Sequence, residues 1–239
     1  MPKITTTTTS TGPIPTKARE SQRGVRPRVL FLSYDGLLEP LGQSQVLAYQ
    51  ERLAAIVDVD VMSFEKRRDW SDDGARSALA RRLRAAGIRW HPRRYHKRPS
   101  APATAYDIAV GIVSGLWIAL RHRVRIVHAR SYVPAVVALA LRWMTGARFI
   151  FDMRGFWADE RVDGGLWRSD SKIFRVAKWF ERRFLLHADH VVSLTSAAAR
   201  EIATFPYLQG RVPPISVIPT CADLGRFRPI HPRYAALTV

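Results

Sequence analysis

The chain is 239 residues long and carries 38 Lys and Arg against 20 Asp and Glu, a formal charge of +18. Its 47% hydrophobic and 10% aromatic content is enough for a packed core and excludes wholesale disorder. Cys221 is the single cysteine, which excludes an intrachain disulfide and a cysteine-clustered zinc site and fits a reducing compartment.

The positive excess leaves nucleic acid, an anionic membrane surface and phosphorylated substrates open as partners. Residues 1–24 hold the run Thr5–Thr9, then Pro13 and Pro15, with no apolar segment of the kind a secretory signal needs, and are expected to form a disordered tail. Val29–Ser33 is a short continuous apolar run, as expected of a strand buried on both faces of a parallel sheet. The segment Tyr34–Ser44 follows. Gly36 and Gly42 let its backbone approach a ligand, and free N–H groups at the next helix start favour phosphate; an ordinary connection is the other reading. Neither G-x-G-x-x-G nor a P-loop occurs, which counts against NAD-linked and ATP-hydrolysing chemistry.

Gln43–Ile56 has helical spacing and Val57–Met62 alternates with period two. Asp58 and Asp60 form a D-x-D pair within that alternation, so both are expected on one exposed face and no metal is expected there. A helix is predicted from Asp73 to Ala86, ended by Gly87, followed by a strand at Ile88–Trp90. Trp90–Pro99 is then read as a loop dense in cations and aromatics. His96, Lys97 and Arg98 are its candidate anion-binding residues, with a solvated surface loop as the alternative.

Ile108–Leu120 is apolar but shorter than the ~20 residues a span requires, so a core helix near 106–121 is predicted. The strand Arg125–His128 leads into His128-Ala-Arg130. Two residues apart on a strand, His128 and Arg130 face one side, and the pair suits an anion or oxygen-rich ligand; a hydrogen-bonded structural histidine is the alternative. A helix near 134–144 and a strand at Arg148–Asp152 follow. Asp152–Arg161 then packs five ionisable groups, two aromatics and a glycine into ten residues. Aromatic faces for sugar rings beside carboxylates and arginine for hydroxyls make Asp152, Arg154, Gly155, Phe156, Trp157, Asp159 and Glu160 candidates for a carbohydrate site. The alternative is a buried ion-pair network anchoring a long loop to about Ser169. Lys172–His187 is an amphipathic helix with an arginine-rich outer face, followed by a strand at His190–Leu194, a short helix from Ser196 and a strand at Ile215–Ile218.

About seven strands alternating with helices predict an α/β fold, an open and mainly parallel sheet with helices on both faces. Ligands of such sheets bind beyond the carboxyl ends of the strands.

Four segments in order carry a family likeness: Gly42-Gln43, His128-Ala-Arg130, Ala188–Thr195 and Val217-Ile-Pro-Thr-Cys-Ala-Asp-Leu-Gly-Arg-Phe-Arg-Pro229. Together they resemble the N-terminal half of a glycosyltransferase of family 4 with the GT-B architecture. The last resembles the family's V-I-P-N-G-V-D-x-x-x-F-x-P signature, with Thr220 at the asparagine and Cys221 at the glycine. The resemblance implies one Rossmann-like domain over residues 25–225, the start of an interdomain linker at 226–239, and a missing second domain. It implies that Gly42 and Gln43 approach the donor's phosphates. Many members carry a histidine near the reacting centre; Arg130 stands at that position here with His128 two residues earlier, and these two are the catalytic candidates. No two of the seven glutamates are eight apart, so the E-x7-E pair of the donor domain does not occur.

The expected function is therefore the acceptor-binding domain of a retaining, nucleotide-sugar-dependent glycosyltransferase, truncated or needing a separately encoded donor-binding domain and inactive alone. The nucleotide sugar is a co-substrate, no cofactor or metal is expected, and the acceptor is a carbohydrate or lipid-linked. The expected location is cytoplasmic, peripheral on the inner face of the membrane. The rival reading is a non-catalytic basic module holding anionic lipid or glycan at a membrane surface. No motif supports a specific nucleic-acid partner.

Overall fold

The computed structural model describes residues 26–220. The tail at 1–24, the Cys221–Pro229 part of the signature and the linker at 226–239 lie outside the described residues. Seven strands, β1 (Arg28–Ser33), β2 (Asp58–Glu65), β3 (Arg89–Arg94), β4 (Ile126–Arg130), β5 (Arg148–Met153), β6 (His190–Ser193) and β7 (Ile215–Val217), form one parallel sheet. Their order is β3-β2-β1-β4-β5-β6-β7.

The helices are α1 (Ala48–Leu53), entered through a π-helical stretch at Gly42–Leu47, then α2 (Arg67–Trp70), α3 (Asp73–Ala85) and α4 (Ser100–His122). After them come α5 (Tyr132–Thr145), α6 (Trp157–Asp163), α7 (Lys172–His187) and α8 (Ser196–Thr204). Alternate strand residues feed two cores. Phe31, Val59 and Val61 meet Leu47, Leu79 and Leu83 on the side of α1 and α3. Leu30, Leu32, Met62, Phe149 and Phe151 meet Ile118, Leu141 and Phe184 on the side of α4, α5 and α7. Burial of each such side chain contributes about 1.5–3 kcal/mol, which is why the strands read as unbroken apolar runs.

Four local expectations are corrected. His91–Arg94 belongs to β3 rather than to a loop; β3 is an edge strand, where Pro92 costs no ladder bond on its outer side. Trp157–Asp163 is helical rather than part of a long loop. The apolar helix is longer than predicted, 23 residues.

Asp60, expected on an exposed face, is fully buried. Its Oδ1 accepts from His91 Nε2 and His122 Nδ1, both at 2.8 Å, and Arg89 grips the carboxylate at 3.0 and 3.2 Å. Burial alone would raise this carboxyl's pKa, but the bonds from His91 and Arg89 and the charges of Arg89 and His122 hold it below the usual range. Asp60, His91 and His122 have metal-ligand composition and lie within 4.8 Å of one another. Arg89 already brings a full positive charge to the same carboxylate, so the cluster acts as a neutralised ion pair that closes the amino edge of the sheet. Asp58 stays partly exposed and pairs with Arg28 at 2.9 Å.

Candidate active site at the carboxyl edge of the sheet

The chain winds outward from β1 in both directions, so the crevice between the carboxyl ends of β1 and β4 is the switch point where such sheets bind ligands. β4 persists to Arg130, which keeps His128 and Arg130 on one side of the sheet, and its register sets Arg130 beside Asp152 of β5. All three side chains are buried. His128 packs edge-on against Phe31, with centroids 4.8 Å apart, and its Nε2 stands 3.8 Å from Asp152 Oδ2.

Arg130 donates to Gln45 Oε1 at 2.8 Å and lies 3.7 Å from Asp35 Oδ2. Arg154 reaches the same Gln45 oxygen at 3.4 Å, approaches Asp152 Oδ1 at 3.6 Å and donates to Thr220 Oγ1 at 3.0 Å. Two guanidinium groups thus share one neutral acceptor. Burial first, and the Arg154 charge next, lower the Arg130 pKa, while Asp152 and Asp35 oppose the shift. Tyr49, four residues after Gln45, has its pKa raised by burial and by the Asp152 charge.

Three polar atoms of this cluster are buried without a hydrogen-bond partner: His128 Nε2, Arg130 Nε and Asp152 Oδ1. Buried polar groups are almost always satisfied, so a set of two donor-capable nitrogens and one carboxylate oxygen at a switch point is suited to oxygen-rich ligands. Asp35, Gln45 and Tyr49 were not singled out from the sequence. The four-residue spacing of Gln45 and Tyr49, which puts both on one helical face, was the available signal.

The other expected residues are distributed differently. A Cβ on Gly42 would lie 2.0 Å from the Gly36 carbonyl oxygen, so its bare face is taken up by packing of the first loop. Gln43 donates to the Leu38 carbonyl at 3.3 Å and lines a groove of about 670 Å³ with Pro40, Arg68 and Arg82. Glu65, at the end of β2, holds this loop by accepting from Leu37 and Leu38 N–H at 3.0 and 3.2 Å, with Ser63 donating at 2.6 Å. His96 is committed to the buried Asp107, its Nδ1 at 2.6 Å and its N–H at 3.0 Å, and Tyr34 donates to the same carboxylate at 2.8 Å. Lys97 and Arg98 are exposed.

The strand-five segment divides. Asp152 and Arg154 join the cluster; Trp157 turns towards Tyr132 and Trp167, and Phe156 towards Phe205. Asp159 pairs with Lys178 at 2.8 Å, and Lys178 with the buried Glu181 at 2.6 Å, which Tyr132 also contacts. For Asp159 the ion-pair alternative therefore describes the contacts. Glu160 is exposed and lies over Gly155, where a Cβ would sit 2.1 Å from its Oε1.

The sequence model of the family described as "Glycosyl transferase 4-like domain" matches residues 42–221. Sucrose-phosphate synthase from Thermosynechococcus elongatus shares the fold at TM-score 0.57 and 14% identity, over 89% of this chain and 52% of that one. A UDP-glucosyltransferase from Polygonum tinctorium, capable of glucosylating indoxyl, does so at TM-score 0.56 and 11% identity, over 88% of this chain and 56% of that one. The chain thus spans about half the length of these structures, and at such identities the likeness shows the fold. No curated protein sequence matches the chain.

Proposed function

Since the chain belongs to the glycosyl transferase 4-like domain family and has the Rossmann-like α/β fold of one GT-B domain, we propose that it is the acceptor-binding half of a retaining, nucleotide-sugar-dependent glycosyltransferase. The observation that carries the reading is the convergence of His128, Arg130, Asp152 and Arg154 at the switch point, with three of their buried polar atoms unpartnered.

In this reading a hydroxyl of a carbohydrate or lipid-linked acceptor fills the gap between His128 and Asp152. Its oxygen forms the new bond to the donor's anomeric carbon as the bond from that carbon to the diphosphate oxygen breaks. The hydroxyl proton leaves with the diphosphate. Arg130 and Arg154 bring positive charge to the edge where the leaving group's negative charge grows, so stabilisation comes from fixed donors and requires no metal. Arg154 also contacts Thr220, within the segment that resembles the family's hand-over to a second domain; a donor-binding domain, on this chain or another, completes the cleft.

The test is ligand-observed NMR with a panel of mono- and disaccharides against UDP-glucose and GDP-mannose. Saccharide contacts that disappear in Arg154→Ala and Asp152→Asn are expected, with no sugar transfer by the 239 residues alone. Tight nucleotide-sugar binding that both substitutions leave intact, or transfer by the chain alone, would overturn the reading.

A further inference from the structure

On a helix that covers a sheet, the outward face ordinarily carries the polar residues. α4 does the opposite. Between Ala105 and Leu120 every exposed position is apolar: Ala105, Tyr106, Ala109, Val113, Trp117 and Leu120. Val113, Trp117 and Leu120 are 70%, 59% and 64% exposed, which leaves most of each side chain in water. α4 is long and apolar enough to cross a bilayer, yet its inner face is fixed to the domain. Gly111 and Gly115 bring it against Val137 and Leu141 of α5, and Asp107 is bonded to Tyr34 and His96.

The same layer continues the pattern. Trp143 and Met144 are exposed at the end of α5, and Ile173, Val176 and Trp179 make a stripe on α7. Around these apolar groups stand Arg121 and Arg123 at the end of α4 and Lys172, Arg175, Arg182 and Arg183 on α7. Arg183 lies over the Trp179 ring at 4.9 Å. The carboxylates of α4, α5 and α7 are Asp107 and Glu181, and both are buried. The layer therefore shows water apolar rings and cations and no carboxylate of its own helices. α3, on the opposite layer, exposes Asp73, Ser77, Arg81 and Arg84 among glycine and alanines, and no large apolar side chain.

We propose that the outer face of α4, α5 and α7 docks flat on an anionic lipid bilayer, with Trp117, Trp143 and Trp179 in the interface and the flanking arginines on lipid headgroups. Apolar side chains ringed by cations are what an anionic interface attracts, and tryptophan settles at the boundary between headgroups and acyl chains. A second copy of the chain would bring the same cations face to face, and a nucleic acid would leave the apolar stripes in water. In this orientation the strands run parallel to the membrane, so the carboxyl edge lies beside the bilayer surface. The inference goes beyond the glycosyl-transfer reading and stands without it, because its test measures no sugar.

The experiment is sedimentation of the full chain with vesicles of phosphatidylcholine alone and of phosphatidylcholine with an equimolar amount of phosphatidylglycerol, at low and high salt. Binding to the mixed vesicles, weakened by salt and accompanied by a blue shift of tryptophan emission, is expected. The Val113→Gln/Trp117→Gln/Leu120→Gln variant should bind about tenfold more weakly with an unchanged circular-dichroism melt, since those side chains are exposed. Arg182→Gln/Arg183→Gln should also weaken binding, whereas Arg81→Gln/Arg84→Gln on α3, with the same loss of charge, should not. Absence of binding to mixed vesicles at low salt would overturn the proposal. So would equal loss from the two arginine pairs, which marks unspecific attraction to a +18 chain, or a stable dimer in solution that the α4 variant dissolves.

Discussion

Gly42 has no room for a side chain, because its Cα faces the Gly36 carbonyl at a distance a methyl group cannot enter. Gly42→Ala is expected to cost about 2–3 kcal/mol in urea unfolding, and the loop that walls the candidate site should loosen with it. Arg154 and Asp159, five residues apart, make opposite predictions. Asp159 touches Lys178 and stands apart from the cluster, so Asp159→Ala should lower stability by about 1 kcal/mol, the order of a partly exposed pair, and leave saccharide binding unchanged. Arg154→Ala should do the reverse, and a single set of melts and titrations distinguishes them. Glu65 adds a dependence on pH. Burial, opposed by its bonds from Ser63, Leu37 and Leu38, raises its pKa, so the folded state holds this proton more tightly than the unfolded chain. Its contribution is fully present below the unfolded value near pH 4.3 and declines as pH rises through the higher folded value. Glu65→Gln should remove that decline, seen as a smaller slope of unfolding free energy against pH just above pH ~4.3; an unchanged slope would refute the assignment.

At the level of elements, α4 meets α5 through two glycines whose neighbours differ in how far they can yield. A Cβ at Gly111 would lie 2.9 Å from a methyl of Val137, which is stiff at χ1, and one at Gly115 2.8 Å from the mobile tip of Leu141. Both substitutions to alanine gain about 1 kcal/mol of helix propensity. Gly115→Ala is therefore expected to be the more stable by about 1 kcal/mol, and calorimetric midpoints in the reverse order would contradict this packing. The same contrast explains which elements were legible. β1, β4 and β5 are apolar on both faces and could be read directly from Val29–Ser33, Arg125–His128 and Arg148–Asp152. The second half of β3 was hidden because His91-Pro92-Arg93-Arg94 contains no apolar residue, a composition that only an edge strand tolerates. α6 was hidden because Trp157–Asp163 is two turns long and mostly charged. Period two correctly put Asp58 and Asp60 on one face, but no local pattern tells that His122, 62 residues beyond Asp60, covers the second carboxylate while the first stays partly exposed. Within the site, strand ends revealed His128, Arg130, Asp152 and Arg154, whereas Asp35, Gln45 and Tyr49 read as ordinary polar surface until the fold set them beside Arg130 and Asp152.

Over the whole molecule the charge of +18 is divided between two environments that respond differently to salt. Arg89, itself 44% exposed, is held at close range to the fully buried Asp60. Arg121, Arg123, Arg125, Arg148, Arg175 and Arg183 carry no ion pair among the described residues and are exposed to one another's repulsion through solvent. Raising ionic strength shortens the screening length to about 8 Å at physiological salt, which relieves the repulsion between separated exposed charges and weakens a contact as close as Arg89–Asp60, at 3.0 Å, much less. The melting temperature of the chain should therefore rise with sodium chloride between low and physiological salt, the reverse of a protein held together by surface ion pairs. The Arg182→Gln/Arg183→Gln variant, with fewer charges to screen, should show a smaller rise. A melting temperature that falls with salt would mean that pairs such as Lys66–Glu39 and Arg82–Glu51 outweigh the repulsion, and would return the excess charge to a role in the fold instead of on the surface.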